Sequence, residues 1–328
     1  MEKVMSRKLI TISTIMTLMS TSVIADVPNV AADIAPIHSL VSRVMDGVGA
    51  PKLIVQSGAS PHGYRLRPSE AKALQDADHV FWMGEELTPW LDSAIGTLAS
   101  KASVTTLLDQ QGVILHDFRE GALFEAHDHS AHGDDDHDDH DDHDDHDDHK
   151  DHDDHDDHGS HDPHAWLSPE NAKLWLNIIA SKLSVSDPEN AATYFMNAAA
   201  GQAEIEAMIA EVKATLKPVQ GGKFVVFHDA YQYFENDFDF YASGAISLGD
   251  SSDPSPARIE KVQQRIRDEG IQCVLAEPQF KKGLVATVME GSDATASVID
   301  PLGTELEAGP KLYTQLIKNM AKTLRNCL

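Results

Sequence analysis

Cysteine is almost missing from this sequence: Cys273 and Cys327 are the only two in 328 residues. So few exclude a miniprotein held together by disulfides. Positive charge is also scarce, with 26 Lys and Arg against 53 Asp and Glu and a formal net charge of −27. A nucleic-acid backbone must be met by clustered cations, so this balance excludes nucleic acid as a partner. Beyond residue 25 no apolar run approaches the roughly 20 residues of a membrane span, and the glycine period of collagen is nowhere present. What remains is a chain 41% hydrophobic and 24% charged. It can bury a substantial core, which at this length is expected to divide over two domains.

The first 25 residues read as a secretory signal. Lys3, Arg7 and Lys8 supply the positive start, Leu9 to Met19 the apolar stretch, and Val23-Ile24-Ala25 the residues at the cut. A single membrane anchor is the alternative, but the stretch is short and diluted by Thr and Ser. The mature chain is expected to begin at Asp26. No cysteine stands near Ala25 to carry a lipid, so the expectation is a freely diffusing protein of the Gram-negative periplasm and not a lipoprotein. In that oxidising compartment Cys273 and Cys327 are expected to pair, closing a loop of roughly 55 residues. Two unrelated buried thiols are the alternative.

Residues 28–110 alternate short β-rich runs with helical patterns. Strands are expected at 52–55 and 79–82, and helices at 68–77 and 87–99. The rhythm returns at 223–325, with strands at 224–227, 273–276 and 297–299 and helices around 256–268, 282–290 and 310–325. Such alternation implies parallel sheets covered by helices, here twice. The fold class is therefore α/β with two lobes. Between them Ser186-Asp187-Pro188-Glu189 reads as a capping box. Tyr194, Ala198, Gly201, Ile205, Met208, Val212 and Leu216 then recur at helical spacing until Pro218. About 29 residues make a rod of roughly 43 Å, long enough to connect both lobes, although a helix packed within one lobe has the same pattern. The expected organisation is a signal over 1–25, a first lobe over 26–185, a linking helix over 186–217 and a second lobe over 218–328.

Residues 127–161 form a low-complexity insert in the first lobe, with 17 Asp against one Lys. His137, His140, His143, His146, His149, His152, His155 and His158 recur there at every third position. Nothing in it can make a core, so a disordered surface loop is expected. Its many N and O donors suit weak, multiple binding of Zn2+, falling on acidification as imidazoles protonate; a merely solvating spacer is the alternative.

Three of the six histidines outside the insert stand in unusual contexts. His62 follows the strand at 52–55 inside Gly58-Ala59-Ser60-Pro61-His62. His164 lies in Asp162-Pro163-His164-Ala165-Trp166, before a helix opened by Ser168-Pro169. His228 follows directly on the strand at 224–227. Ligands of open α/β sheets bind beyond the carboxyl ends of the strands, so His62 and His228 fall where a site is expected. Two belong to the first lobe and one to the second, which puts a shared ligand in the cleft. Three imidazoles and one further position suit tetrahedral Zn2+. Asp300, after the strand at 297–299, is a candidate fourth ligand that would make Mn2+ more acceptable; water there keeps the site zinc-like. Spacing alone is equally compatible with three unrelated histidines.

These residues carry a resemblance. Gly58-Ala59-Ser60-Pro61-His62-Gly63-Tyr64, Pro163-His164-Ala165-Trp166-Leu167-Ser168-Pro169, Phe227-His228-Asp229-Ala230-Tyr231, Ala276-Glu277-Pro278-Gln279-Phe280 and Asp300-Pro301-Leu302-Gly303-Thr304 occur in one order. That series resembles the ZnuA-type periplasmic zinc receptors, over essentially the whole mature chain. The resemblance implies a cluster A-I substrate-binding protein of an ABC transporter: two α/β lobes joined by one long helix, with zinc between them on His62, His164 and His228. It also implies an inner-membrane ABC permease as partner. Some relatives have Glu just before the first histidine, where this chain has Pro61, so that carboxylate is not available. Asp300 matches the position that coordinates in manganese-type relatives.

Glu85 and Glu277 follow strands and could orient imidazoles; ordinary polar positions are the alternative. His38 could line the cleft or be a hydrogen-bonded residue at a helix start. The leading function is capture of Zn2+ and delivery to an ABC importer, with a monomeric state and an accessory periplasmic zinc chaperone as further expectations. Two other classes remain: a zinc buffer without a permease, and a zinc hydrolase, which would need Glu85 or Glu277 as base. No His-Glu-x-x-His or nucleophile elbow supports the last, and the expectation is a protein that is not an enzyme.

Overall fold

The computed structural model describes residues 27–119, 124, 161–247, 249, 254–279 and 282–328. The expected signal over 1–25 and the eight regularly spaced histidines of the insert lie outside these residues. Two four-stranded parallel sheets dominate. The first comprises β1 (Val30–Ala32), β2 (Lys52–Leu53), β3 (His79–Trp82) and β4 (Ser103–Thr106), in the order β2-β1-β3-β4. The second comprises β5 (Phe224–His228), β6 (Ala245–Ser247), β7 (Cys273–Ala276) and β8 (Thr295–Val298), in the matching order β6-β5-β7-β8. The register runs Val30↔His79 in the first sheet and Phe224↔Cys273 in the second. Inner strands β1, β3 and β5 are buried along their whole length, as parallel strands with both faces covered must be. The repeated order gives each sheet a switch point, between β1 and β3 and between β5 and β7, where the chain leaves in opposite directions and a crevice opens.

The covering helices are α1 (Ala35–Val44), α2 (Pro68–Gln75), α3 (Pro89–Leu98), α4 (Pro169–Ser186), α5 (Ala191–Leu216), α6 (Gln232–Phe238), α7 (Pro256–Glu269), α8 (Lys282–Met289) and α9 (Leu312–Cys327). Proline opens α2, α3, α4 and α7, where its missing N–H costs nothing. Elements β1, α1, β4 and β6 were not among the expected set. β1 and β6 are only three residues long, and α1 is buried on nearly every side, so neither carries a clear period.

The long helix is α5, and its buried stripe is Tyr194, Ala198, Gly201, Ile205, Met208, Val212 and Leu216, as the spacing predicts. Its 26 residues span about 39 Å. It packs on α1 and α4 beside the first sheet and on α9 beside the second, and so joins the two. A Cβ at Gly201 would stand 2.9 Å from Leu176 and 3.1 Å from Arg43; only glycine admits so close an approach. The start of the helix differs from the expected capping box. Ser186 is the last residue of α4, and its hydroxyl donates to the Leu183 carbonyl (3.1 Å) and pairs with His79 Nε2 (2.7 Å). A short 3-10 turn at Pro188–Asn190 follows. Buried Asp187 holds the corner instead, accepting from Tyr194 Oη (2.7 Å) and Asn190 Nδ2 (2.8 Å).

Cys273 at the start of β7 and Cys327 at the end of α9 form a disulfide, with a sequence separation of 54. In the chain-entropy account a loop of that size stabilises by about 4 kcal/mol. Thermal melts of the Cys273→Ser, Cys327→Ser double variant should therefore show a large drop in stability. An unchanged melting temperature would rule out that contribution.

Buried Asp33 ties the ends of β1 and β3: its carboxylate accepts the amides of Ile34 and Met83, each at 2.7 Å. Burial pushes its pKa up to about 7, while those amide bonds pull it down. The folded state thus holds this proton more tightly than the unfolded chain. Stability from Asp33 is present at low pH and is lost as pH rises from about 4 to about 7. Asp33→Asn has no such proton, so the wild type's advantage over this variant should shrink between about pH 4.5 and 7.5 in thermal melts. An advantage that stays flat or grows would contradict the assignment.

Candidate metal centre

His62, His164 and His228 reach one point from two turns and the end of a strand. His62 lies in the turn after β2. Trp90 on α3 fixes that turn by donating to the Pro61 carbonyl (2.7 Å), and Tyr64 anchors its far side by donating to Glu70 (2.8 Å). The positive φ of Gly58 (84°) bends the chain toward the second half, where a Cβ would meet Thr304 at 3.2 Å. His164 lies in the turn before α4. Asp162 Oδ1 accepts its backbone N–H (3.0 Å) and pairs with its Nδ1 (2.6 Å). His228 ends β5, and its Nδ1 lies 2.5 Å from Oε1 of Glu277, which follows β7. This last pair spans the switch point of the second sheet. Gln279 donates to the other Glu277 oxygen (2.7 Å).

Each carboxylate engages Nδ1 of its imidazole, so Nε2 is the atom turned toward the centre. Burial pushes Asp162 up to about 6, with the His164 amide and Arg119 pulling it down. The Nε2 atoms of His164 and His228 face each other at 3.4 Å. Metal–nitrogen bonds of tetrahedral zinc imply N···N separations of about 3.3 Å. His62 completes the group, with one ligand atom from each histidine lying within 4.8 Å of the others. Among the described residues no other set of His, Cys, Asp or Glu converges in this way. Pro61, Trp166, Gln279, Pro301 and Leu302 wall the space, whose volume is about 10 Å³, roughly that of one water-sized sphere. The centre has room for an ion and not for an organic ligand.

Asp300, His38 and Glu85 are not among the converging ligands. Asp300 is not part of the converging group: one oxygen accepts the amides of Leu302 (3.0 Å) and Gly303 (2.9 Å), the other that of Thr304 (2.5 Å). Its carboxylate shapes the 300–304 turn, and Trp166 braces that turn by donating to the Pro301 carbonyl (2.8 Å). His38 is buried, but it bonds the Pro51 carbonyl (3.2 Å) and Ser42 (3.5 Å), which places it in support of α1 and the entry to β2 and not of the cluster. Glu85 is exposed and, among the described residues, bonds none of the three imidazoles. Two contributors went unnoticed in the sequence. Asp162 stands two residues before His164, a spacing at which an Asp can fold back on the chain. Gln279 had no distinguishing signal beyond its motif.

Comparison with known proteins agrees with this geometry. The family described as ZnuA, zinc-uptake complex component A, periplasmic, matches residues 30–327. The high-affinity zinc uptake system protein ZnuA of Brucella abortus is 49% identical over 304 residues, covering 91% of each chain. Its counterpart in Paracoccus denitrificans is 45% identical over 305 residues, covering 93% of each. A crystal structure of ZnuA shares the fold with a TM-score of 0.70 at 20% identity, covering 92% of this chain and 99% of that one. A match over nearly the whole described chain, with relatives this similar, establishes that the protein belongs to the ZnuA family of periplasmic zinc-uptake components.

Proposed function

We propose that this protein captures Zn2+ in the periplasm on His62, His164 and His228 and delivers it to the permease of an inner-membrane ABC importer. The observation that carries the reading is the convergence of three histidines, one ligand atom of each within 4.8 Å of the others, with the imidazoles of His164 and His228 each backed by a buried carboxylate. Such backing fixes the tautomer and raises the basicity of the ligand. Three nitrogen donors without a coordinating carboxylate favour zinc over manganese, and water serves as fourth ligand. The zinc-uptake names of the relatives agree with this choice. Secretion on the signal over 1–25 accounts for the placement in the periplasm of a receptor whose two lobes meet at the centre. The same geometry speaks against hydrolysis. Glu277 is committed to His228 and Gln279, and Glu85 is exposed, so neither is free to act as a base on metal-bound water.

The insert over 127–161 collects further Zn2+ at weaker sites. Calorimetry should show one tight event and several weak ones, and deletion of 127–161 should remove only the weak class. Loss of the tight event on that deletion would move the main site to the insert.

Competition against a zinc chelator separates ligands from supporting residues. His62→Ala, His164→Ala and His228→Ala should each weaken the tight site by more than the roughly 10–100-fold expected of the outer partners changed in Asp162→Asn and Glu277→Gln. Asp300→Ala should fall in the milder group. Near wild-type affinity in any one histidine variant would remove that residue from the ligand set, and an Asp300→Ala loss as large as theirs would add Asp300 to it.

A further inference from the structure

Behind the centre lies a second cluster of charge that the three imidazoles do not use. Arg119, in the segment after β4, reaches across to the second half of the chain. Its Nε lies 3.0 Å from both oxygens of Asp229, one Nη also contacts that carboxylate, and the other Nη donates to Glu235 on α6 at 2.6 Å. Both carboxylates are buried, with side-chain exposures of 7% and 1%. The guanidinium also lies 3.7 Å from the centroid of the Phe124 ring, and Phe124 in turn is held through its carbonyl by Arg265 of α7 (3.2 Å).

Asp229 is the residue after His228, so what restrains its side chain restrains the end of β5. The charge balance gives Arg119 a further task. Asp162 and Glu277 are occupied with imidazoles, whereas Asp229 and Glu235 have Arg119 as their cation. Burial pushes Glu235 up to about 7 despite the guanidinium beside it, a sign of how costly these carboxylates are to bury. Among the contacts that cross this boundary are the centre, with His164 on one side and His228 on the other, and Arg119.

We propose that Arg119 is a positioning residue of the metal centre: by binding Asp229 and Glu235 from the other half of the chain, it holds His228 in place and slows release of the bound ion. This inference rests on the reading of the three histidines as zinc ligands. Release of the ion requires His228 to give up its place at the centre, and the Arg119 contacts to Asp229 beside it oppose that movement. A bidentate guanidinium is suited to this, since its planar fork binds a carboxylate with a fixed orientation.

The test is a chelator chase on the full chain loaded with one equivalent of Zn2+. Arg119→Gln should release zinc faster by roughly 10–100-fold, the range for outer partners of a metal ligand, with association little changed. The thermal shift produced by zinc should shrink too, an effect that a purely structural loss, lowering apo and loaded stability alike, would not produce. Because Arg119→Gln leaves two buried carboxylates without their cation, the variant Arg119→Gln, Asp229→Asn, Glu235→Gln is measured beside it. That variant removes the unpaired charges but not the loss of the fork, so it should fold and still release zinc fast. Wild-type release from either folded variant overturns the proposal. A wild-type chain that binds no zinc tightly would instead overturn the reading of the centre on which it rests.

Discussion

Two imidazole nitrogens, one from each half of the chain, are held 3.4 Å apart. Isolated side chains in that position would turn away from each other. Here they cannot, because Asp162 and Glu277 grip the opposite nitrogens at 2.6 and 2.5 Å. These buried carboxylates are themselves expensive to keep from water. Their cost is offset only when an imidazole proton, and beyond it a positive ion, shares the charge. The centre is thus preorganised for a small cation by the carboxylates that fix its imidazoles.

The sheets supply the geometry that this arrangement requires. Parallel order brings the carboxyl ends of neighbouring strands to one edge, and the switch point between β5 and β7 leaves His228 and Glu277 side by side. In the first sheet the equivalent place is taken by Asp33, whose carboxylate is consumed by two backbone amides. Identical topology therefore yields a ligand-bearing crevice in one half and a structural knot in the other. The first half brings its donors from the turns after β2 and before α4, braced by Trp90 and Asp162.

Much of this was legible beforehand because the relevant signals are local. Alternating apolar runs and proline-opened helices announce parallel α/β lobes; His62 and His164 stand beside prolines in chain turns, and His228 stands at the carboxyl end of an apolar run. Differences and open alternatives arose where a residue type has several uses. Ser186 and Glu189 have capping-box spacing, yet Ser186 belongs to the helix before, since a four-residue pattern does not say which of two adjacent helices owns it. Asp300 is a natural oxygen donor, but three backbone amides claim it first, and only the path of the 300–304 turn reveals that. His38 looked available in a sequence that cannot show the Pro51 carbonyl beside it. Arg119 gave no signal at all, because its partners are more than a hundred residues away along the chain.

The disulfide between Cys273 and Cys327 lies at the amino end of β7, away from the edge that bears the histidines, and it takes up the only two cysteines of the sequence. The chain therefore has no thiolate to offer a soft metal. Its donors are nitrogens and oxygens, which exchange protons and do not change oxidation state. In thiolate zinc sites an oxidant can expel the ion by joining its ligands to each other; that chemistry has no foothold here. The grip on the cargo is thereby insulated from the redox swings of an oxidising compartment and answers to acidity instead.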